Sequence, residues 1–338
     1  MGKYKTGITR RKFIQNSAIA MAGVSAYGLV PSSGNIMGLK DTNPGILRRK
    51  LGKTGLEVSL LSFGGGSQFL RNPNGEWETV LESAFESGIN LFDTAPSYTS
   101  AAYNQGGPNS PDSEDRYGQI LEKHRSNIIL STKLESRDPD KAKSELEASL
   151  KRLKTDHVDI LFMHAISAED NTSEIEKGLY KTMVSFKASG VVKNIGFSSM
   201  DSAERSAELI EKLDFDVVLM AMNATNYGNF INIALPAARK KNVGVIAMKA
   251  LRDIVGKDAT AMELLEYVWS QEGVSSVLAG HFGIKILEEN IKHAVEFSKT
   301  GISSINKKEL EQRMAQHSGP HTLSWARPGY TDGGWAVT

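Results

Sequence analysis

From Leu51 onward, short runs of apolar and β-branched residues alternate with segments whose apolar positions recur at helical spacing. Residues 58–63 read as a first strand that ends in Gly64, Gly65 and Gly66. Residues 77–88 place Val80, Leu81, Ala84 and Phe85 on one helical face, and 89–93 follow as a second strand. The repeating unit predicts further strands over 128–133, 158–164, 192–198, 217–222, 243–248 and 275–279. Helices are predicted over 140–153, 173–189, 232–240, 260–271 and 285–298. Strict alternation implies parallel strands joined by crossover helices. A count of eight such strands favours an α/β fold closed into a (β/α)8 TIM barrel. An open doubly wound sheet is the alternative, but Gly64-Gly65-Gly66 lacks the spaced glycines of its first strand-helix turn.

Three segments fall outside this rhythm. Residues 99–112 form a polar, Gly- and Pro-rich loop after the second strand, longer than most βα loops. Residues 318–338 show no helical period, and whether they fold over the barrel mouth is open. At the N-terminus, Thr9-Arg10-Arg11-Lys12-Phe13-Ile14 precedes an apolar run over 18–30 and then Pro31-Ser32-Ser33-Gly34, the layout of a twin-arginine export signal. That run, about 13 residues interrupted by Gly23, Ser25 and Gly28, is short of the ~20 needed to span a bilayer, so no stable membrane anchor is expected. The expected organisation is a signal and linker over 1–40, a barrel over 41–317 and a tail over 318–338. The twin-arginine machinery is thus an expected partner and the periplasm the expected compartment, reached by a protein that can fold and load a cofactor before export.

Composition narrows the chemistry. A hydrophobic content of 40% with 23% charged residues is ordinary for a globular chain, and a net charge of +1 gives no bulk attraction to nucleic acid. The absence of cysteine removes disulfides, thiolate nucleophiles and cysteine-ligated metals. The seven histidines include no His-Glu-x-x-His arrangement of the kind metalloprotease helices use, so no metal site is expected.

In a parallel barrel the C-terminal strand ends converge, and those ends carry Asp93, Tyr98, Lys133 and His164. Each alone has an ordinary structural explanation: a cap, loop packing, a solvated charge, a core edge. Together they suit reduction of a carbonyl, whose oxygen needs a proton donor and an electrostatic partner as hydride arrives at carbon. A phenol titrating near ~10 is a poor acid unless an adjacent ammonium stabilises its anion. Lys133 can supply that charge, Asp93 can hold Lys133, and His164 can donate to the substrate oxygen or share the proton.

The segments Leu51-Gly52-Lys53-Thr54-Gly55-Leu56-Glu57-Val58-Ser59, Gly88-Ile89-Asn90-Leu91-Phe92-Asp93-Thr94-Ala95-Pro96-Ser97-Tyr98 and Ser149-Leu150-Lys151-Arg152-Leu153-Lys154-Thr155-Asp156-His157-Val158-Asp159, with His164 beyond, resemble the aldo-keto reductases over roughly residues 51–296. The resemblance implies Tyr98 as acid/base completed by Asp93, Lys133 and His164, with NADP or NAD as cofactor and a small carbonyl or sugar-like substrate. It also implies a cofactor set comprising Gly65, Gly66, Ser198, Ser199, Met248, Lys249, Gly280, His281, Glu289 and Asn290. Several positions depart from the family pattern: Ser199 for Asn, Leu219 for Gln, Met248 for an aromatic ring, and Ile286 where an arginine often grips a 2′-phosphate. Losing that planar donor weakens selectivity for NADP. Two alternatives therefore stand beside a reductase: an exported barrel that binds a ligand or partner without turnover, and one that retains a single cofactor and exchanges electrons with another donor.

Overall fold

Period-two alternation along each strand decides which side chains fill a barrel and which meet its helices. The computed structural model describes residues 45–102 and 110–330. The eight parallel strands are β3 (Leu61–Gly64), β4 (Leu91–Asp93), β5 (Ile129–Leu134), β6 (Val158–Ile166), β7 (Val192–Ser199), β8 (Val217–Ala221), β9 (Gly244–Met248) and β10 (Val274–Ala279). They pair in sequence order, and β10 returns to β3, which closes the (β/α)8 barrel expected from the sequence.

Inside the barrel, Leu91, Ile129, Ile160, Phe162, Val217, Leu219 and Ile246 form one apolar cluster, each at most 2% exposed. The alternate residues Phe92, Leu130, Leu161, Met163, Val218 and Val245 point outward into the larger core beneath the helices. Two residues beyond the inner layer on each strand comes the next inward position. Leu91 is thus followed by Asp93, Phe162 by His164 and Ile246 by Met248, while Ile129 leads through Ser131 to Lys133. The polar site is the top layer of the same alternation that builds the core.

The expected strand over 58–63 is in fact two. The chain turns at Leu60, so that β2 (Glu57–Ser59) pairs antiparallel with β1 (Arg48–Lys50) and only β3 enters the barrel. This hairpin seats Leu51 and Val58 in the inner cluster and plugs the N-terminal end. Close approach explains Gly52, whose φ is +51° and where a Cβ would sit 2.3 Å from Gly244 N.

The crossover helices largely follow the predicted spans. The expected helix over 173–189 is split at Gly178 into Thr172–Lys177 and Leu179–Ala188. An additional helix, Lys307–Met314, follows the last crossover helix and begins at an Asn306 cap. The described part of the tail folds back onto the barrel mouth. Leu323 and Trp325 are buried, Trp325 packs edge-on against Tyr227, and Ser324 donates from both N and Oγ to Asp253 Oδ2 at 2.8 and 2.6 Å. The expected export signal and the middle of the 99–112 loop lie outside the described residues. Among the described residues no helix is long and apolar enough to cross a membrane.

Candidate active site

Asp93 and Lys133 emerge side by side at the top of β4 and β5. Lys133 Nζ lies 2.6 Å from Asp93 Oδ2 and donates to Thr94 O at 2.8 Å, while Ser131 donates to Asp93 Oδ1 at 2.7 Å. Both side chains are essentially inaccessible, at 1% and 2% exposure, so the ion pair is buried and well bonded. The Lys133 ammonium stands 4.7 Å from the centroid of the Tyr98 ring. His164 also meets that ring, edge-on with the centroids 5.8 Å apart. The structure therefore brings all four strand-end residues together.

A second tyrosine lies close by. Tyr117 OH donates to Asp93 O at 3.0 Å, with Phe63 O also in reach at 3.3 Å. Burial, then the charge of Asp93, pushes its phenol well above the usual range, so it stays a neutral donor. Tyr98, not Tyr117, faces the cavity.

His164 carries a partner the sequence reading missed. Its Nδ1 is 2.8 Å from both carboxylate oxygens of Glu135. Burial opposes the charge on Glu135, but the hydrogen bond and charge of His164, with Lys133 nearby, outweigh it and hold the carboxyl below its ordinary range. The readable signal was Lys133-Leu134-Glu135, since residues two apart on a strand share a face.

The loops around Tyr98 are stapled by Arg116. Its guanidinium donates to Phe69 O, Asn72 O and Pro111 O at 3.1, 3.2 and 3.0 Å, and sits over the Phe69 and Trp77 rings. Burial lowers it to about 10, which still leaves it charged at neutral pH.

Beside Tyr98 opens a cavity of about 840 Å³ between the ends of β3, β9 and β10. Of the expected cofactor residues, Gly66, Met248, Lys249, Gly280, Glu289 and Asn290 line it. Both glycines leave room: a Cβ at Gly66 would lie 3.5 Å from the Tyr98 ring, and one at Gly280 would press on Gln68 Cβ at 3.2 Å. Lys249 turns with φ +62°, a strained backbone for a side-chain-bearing residue, and donates to Tyr330 OH of the tail at 3.3 Å.

The other four lie elsewhere. Gly65 is packed beneath the loop, where a Cβ would be 2.3 Å from Ser113 Oγ. Ser198 Oγ accepts from Ala165 N at 2.9 Å and Ser199 Oγ donates to Ile166 O at 2.7 Å. These two serines tie down the irregular end of β6, where Ala165 has φ +52°, instead of facing the cavity. His281 is fully buried with its ring stacked on Phe63, and burial lowers it to about 3. It is therefore a neutral packing group that offers no charge to a phosphate. Leu219, at 1% exposure, fills the barrel interior.

Two arginines that the sequence reading did not name also stand at the cavity. Arg252, from the loop after β9, donates to Ser67 Oγ at 2.6 Å across the cavity, and Arg71 lies 4.4 Å over the Phe282 ring. Both line the cavity with Lys249. Sequence spacing offered little sign of this, because the contacts join loops more than a hundred residues apart. Among the described residues no cluster of His, Asp and Glu could hold a metal.

Such a barrel, with a buried Asp-Lys pair and a histidine beside a cavity-facing tyrosine, is the architecture of an oxidoreductase class. Residues 60–258 match the Aldo/keto reductase family, which covers more than half of the chain, and the protein belongs to that family. It is 27% identical over 308 residues to L-galactose dehydrogenase of Arabidopsis thaliana, covering 78% of this chain and 92% of that one. It is 26% identical over 228 residues to D-threo-aldose 1-dehydrogenase of a Pseudomonas species, covering 57% and 66%. Among solved structures, the aldo-keto reductase AKR11C1 of Bacillus halodurans superposes with a TM-score of 0.62 at 21% identity, over 81% of this chain and 96% of that one.

Proposed function

We propose that this oxidoreductase transfers hydride reversibly between a nicotinamide dinucleotide, NADP or NAD, and the carbonyl or alcohol carbon of a small sugar-like substrate, with Tyr98 as general acid/base. The observation that carries this is the Lys133 ammonium, paired to Asp93 and lying 4.7 Å from the Tyr98 ring at the edge of a dinucleotide-sized cavity. The names of two relatives, both sugar dehydrogenases, support the substrate class. The cavity fits the cofactor's chemistry. Gly66 and Gly280 leave space for a ring and a phosphate backbone, and Arg71, Lys249 and Arg252 offer cations to anionic oxygens. When bound, the dinucleotide supplies or accepts the hydride.

The chain's own residues handle the proton. Lys133 stabilises the phenolate form of Tyr98, which lets the phenol give its proton to the substrate oxygen in reduction and recover it in oxidation. Asp93 keeps the ammonium in place, and burial strengthens the field it exerts by excluding water. His164, edge-on to Tyr98, presents a second polar group to the same oxygen.

Dinucleotide-dependent turnover tests the reading: NADPH or NADH oxidation with an aldose panel, and aldose oxidation with NADP or NAD. Consumption of neither cofactor with any carbonyl would reject it. Arg252→Ala is expected to weaken dinucleotide binding about tenfold or more, the scale of one lost charged hydrogen bond. Nicotinamide fluorescence titration checks this, and unchanged affinity would remove Arg252 from the binding set. The Arg252–Ser67 contact across the cavity also favours a second reading, retention of one cofactor molecule through many turnovers. Dinucleotide surviving extensive dialysis of the wild type but not of Arg252→Ala supports it. The Arg10-Arg11 leader supports export to the periplasm by the twin-arginine route. Cell fractionation with Arg10→Lys and Arg11→Lys combined checks this, since wild-type distribution in the variant would reject the route.

A further inference from the structure

Tyr98 is in contact with members of two acid-base pairs, and the carboxylate of the second has so far no part in the reaction. Asp93 and Lys133 form the first. The second is Glu135 and His164, reached from the same strand as Lys133 by the two-residue repeat. We propose that Glu135 is a positioning residue for the reaction: its carboxylate, 2.8 Å from His164 Nδ1 through both oxygens, fixes the orientation and tautomer of the imidazole and leaves Nε2 as the ring atom that serves the substrate oxygen. This rests on the oxidoreductase reading above and adds to it a residue outside the four strand-end groups.

The geometry is built rather than incidental. Glu135 follows the last residue of β5, and its backbone is pinned by the next helix, where Glu145 Oε2 accepts from Glu135 N at 3.0 Å and from Ser136 N at 3.3 Å. The histidine is held equally firmly. It is 5% exposed, and the backbone just beyond it is tied to β7 through Ala165 N and Ser198 Oγ. An ionised carboxylate has no proton to give, so Nδ1 must be the donor in this contact. The proton on Nδ1 then stays in place whether or not Nε2 carries one. A neutral ring offers a lone pair at Nε2, and an imidazolium offers an N–H, with the carboxylate favouring the latter.

The other charges around the ring do not supply this. Lys133, on β5, is compensated by Asp93 at 2.6 Å. Arg137, on the loop after β5, is engaged by Asp170 at 2.7 and 3.1 Å and donates to Ala165 O at 3.1 Å. Tyr98, on the loop after β4, meets the ring edge-on. Glu135 is thus the carboxylate in direct contact with His164.

Two substitutions separate orientation from charge. Glu135→Gln keeps an oxygen that can accept from Nδ1–H and removes the charge, whereas Glu135→Leu removes both. In the full chain carrying 15N-labelled histidine, with His164 assigned from the signal lost in His164→Gln, the expected result has two parts. The imidazole of Glu135→Gln keeps the wild-type tautomer but titrates at lower pH by about one unit, the low end of a direct charge contact. That of Glu135→Leu becomes a mixture of tautomers. A wild-type titration and tautomer in both variants would overturn the proposal. This readout needs no turnover, so it stands apart from any failure of the oxidoreductase reading. With NADPH and glyceraldehyde as probe substrates, Glu135→Gln is expected to hold KM within about twofold while kcat falls about tenfold, with the pH profile of kcat/KM displaced in the same direction as the NMR titration. An equal loss at every pH would mark a merely structural role and would also overturn it.

Discussion

Tyr98→Phe is expected to lower kcat/KM for carbonyl reduction by on the order of a thousandfold while leaving dinucleotide affinity within about twofold. The substitution removes one oxygen from a side chain that is 4% exposed and already packed beside Leu70 and Ala95, so little shape is lost. Gly66, which lies against the ring, keeps its contact. What disappears is the proton donor for the developing alkoxide. Tyr117 cannot replace it, since its hydroxyl is committed to Asp93 O behind the cavity wall and its proton is held by burial. A steady-state assay with parallel fluorescence titration of the cofactor separates the two quantities. Equal rates in wild type and variant would remove Tyr98 from the acid role and with it the mechanism proposed here.

The strand-end neighbours of Tyr98 were legible in the sequence because of where a barrel places its strand ends. Strand alternation fixes the inward positions, and the last inward position of each strand is the mouth, so Asp93, Lys133 and His164 could be named from their place in the repeat. The same logic reached Met248. It failed where position depends on loop conformation. Ser198 and Ser199 sit at a strand end like the others, but a bulge in β6 turns them into braces for its irregular backbone. His281 follows Gly280 at the mouth, yet it turns inward onto Phe63 and leaves Phe282 to face the cavity with Arg71. Arg252 and Ser67 meet across 185 residues, a pairing no local pattern encodes. The hairpin was hidden for another reason: the chain turns at Leu60, between Ser59 and Leu61, with no Gly, Pro, Asn or Asp to mark the change of direction between β2 and β3.

Breaking the Asp93–Lys133 pair is expected to cost stability and activity together, and the two can be uncoupled. Asp93→Asn leaves an ammonium with 1% exposure facing a neutral amide, and stranding a buried charge in this way costs about 3–5 kcal/mol. Lys133→Met leaves the carboxylate with Ser131 Oγ as its remaining side-chain partner at 2.7 Å and should cost a similar amount. The double variant Asp93→Leu, Lys133→Met buries no charge at all. It leaves buried Ser131 Oγ and Thr94 O without these bonds, at about 1–3 kcal/mol each, and gains apolar contact with the inner cluster below, which offsets part of that cost. Denaturant unfolding should therefore find the double variant more stable than either single one and within about 2 kcal/mol of wild type. Activity should not follow. Without the ammonium beside the Tyr98 ring the phenolate has nothing to stabilise it, and kcat/KM should stay down by a hundredfold or more, roughly the scale of a lost preorganised charge, in Lys133→Met and in the double variant alike. Recovery of activity along with stability in the double variant would show that the pair serves the fold alone. A stable but inactive double variant would show that the energy spent burying two charges is retained for what the ammonium does to the neighbouring phenol.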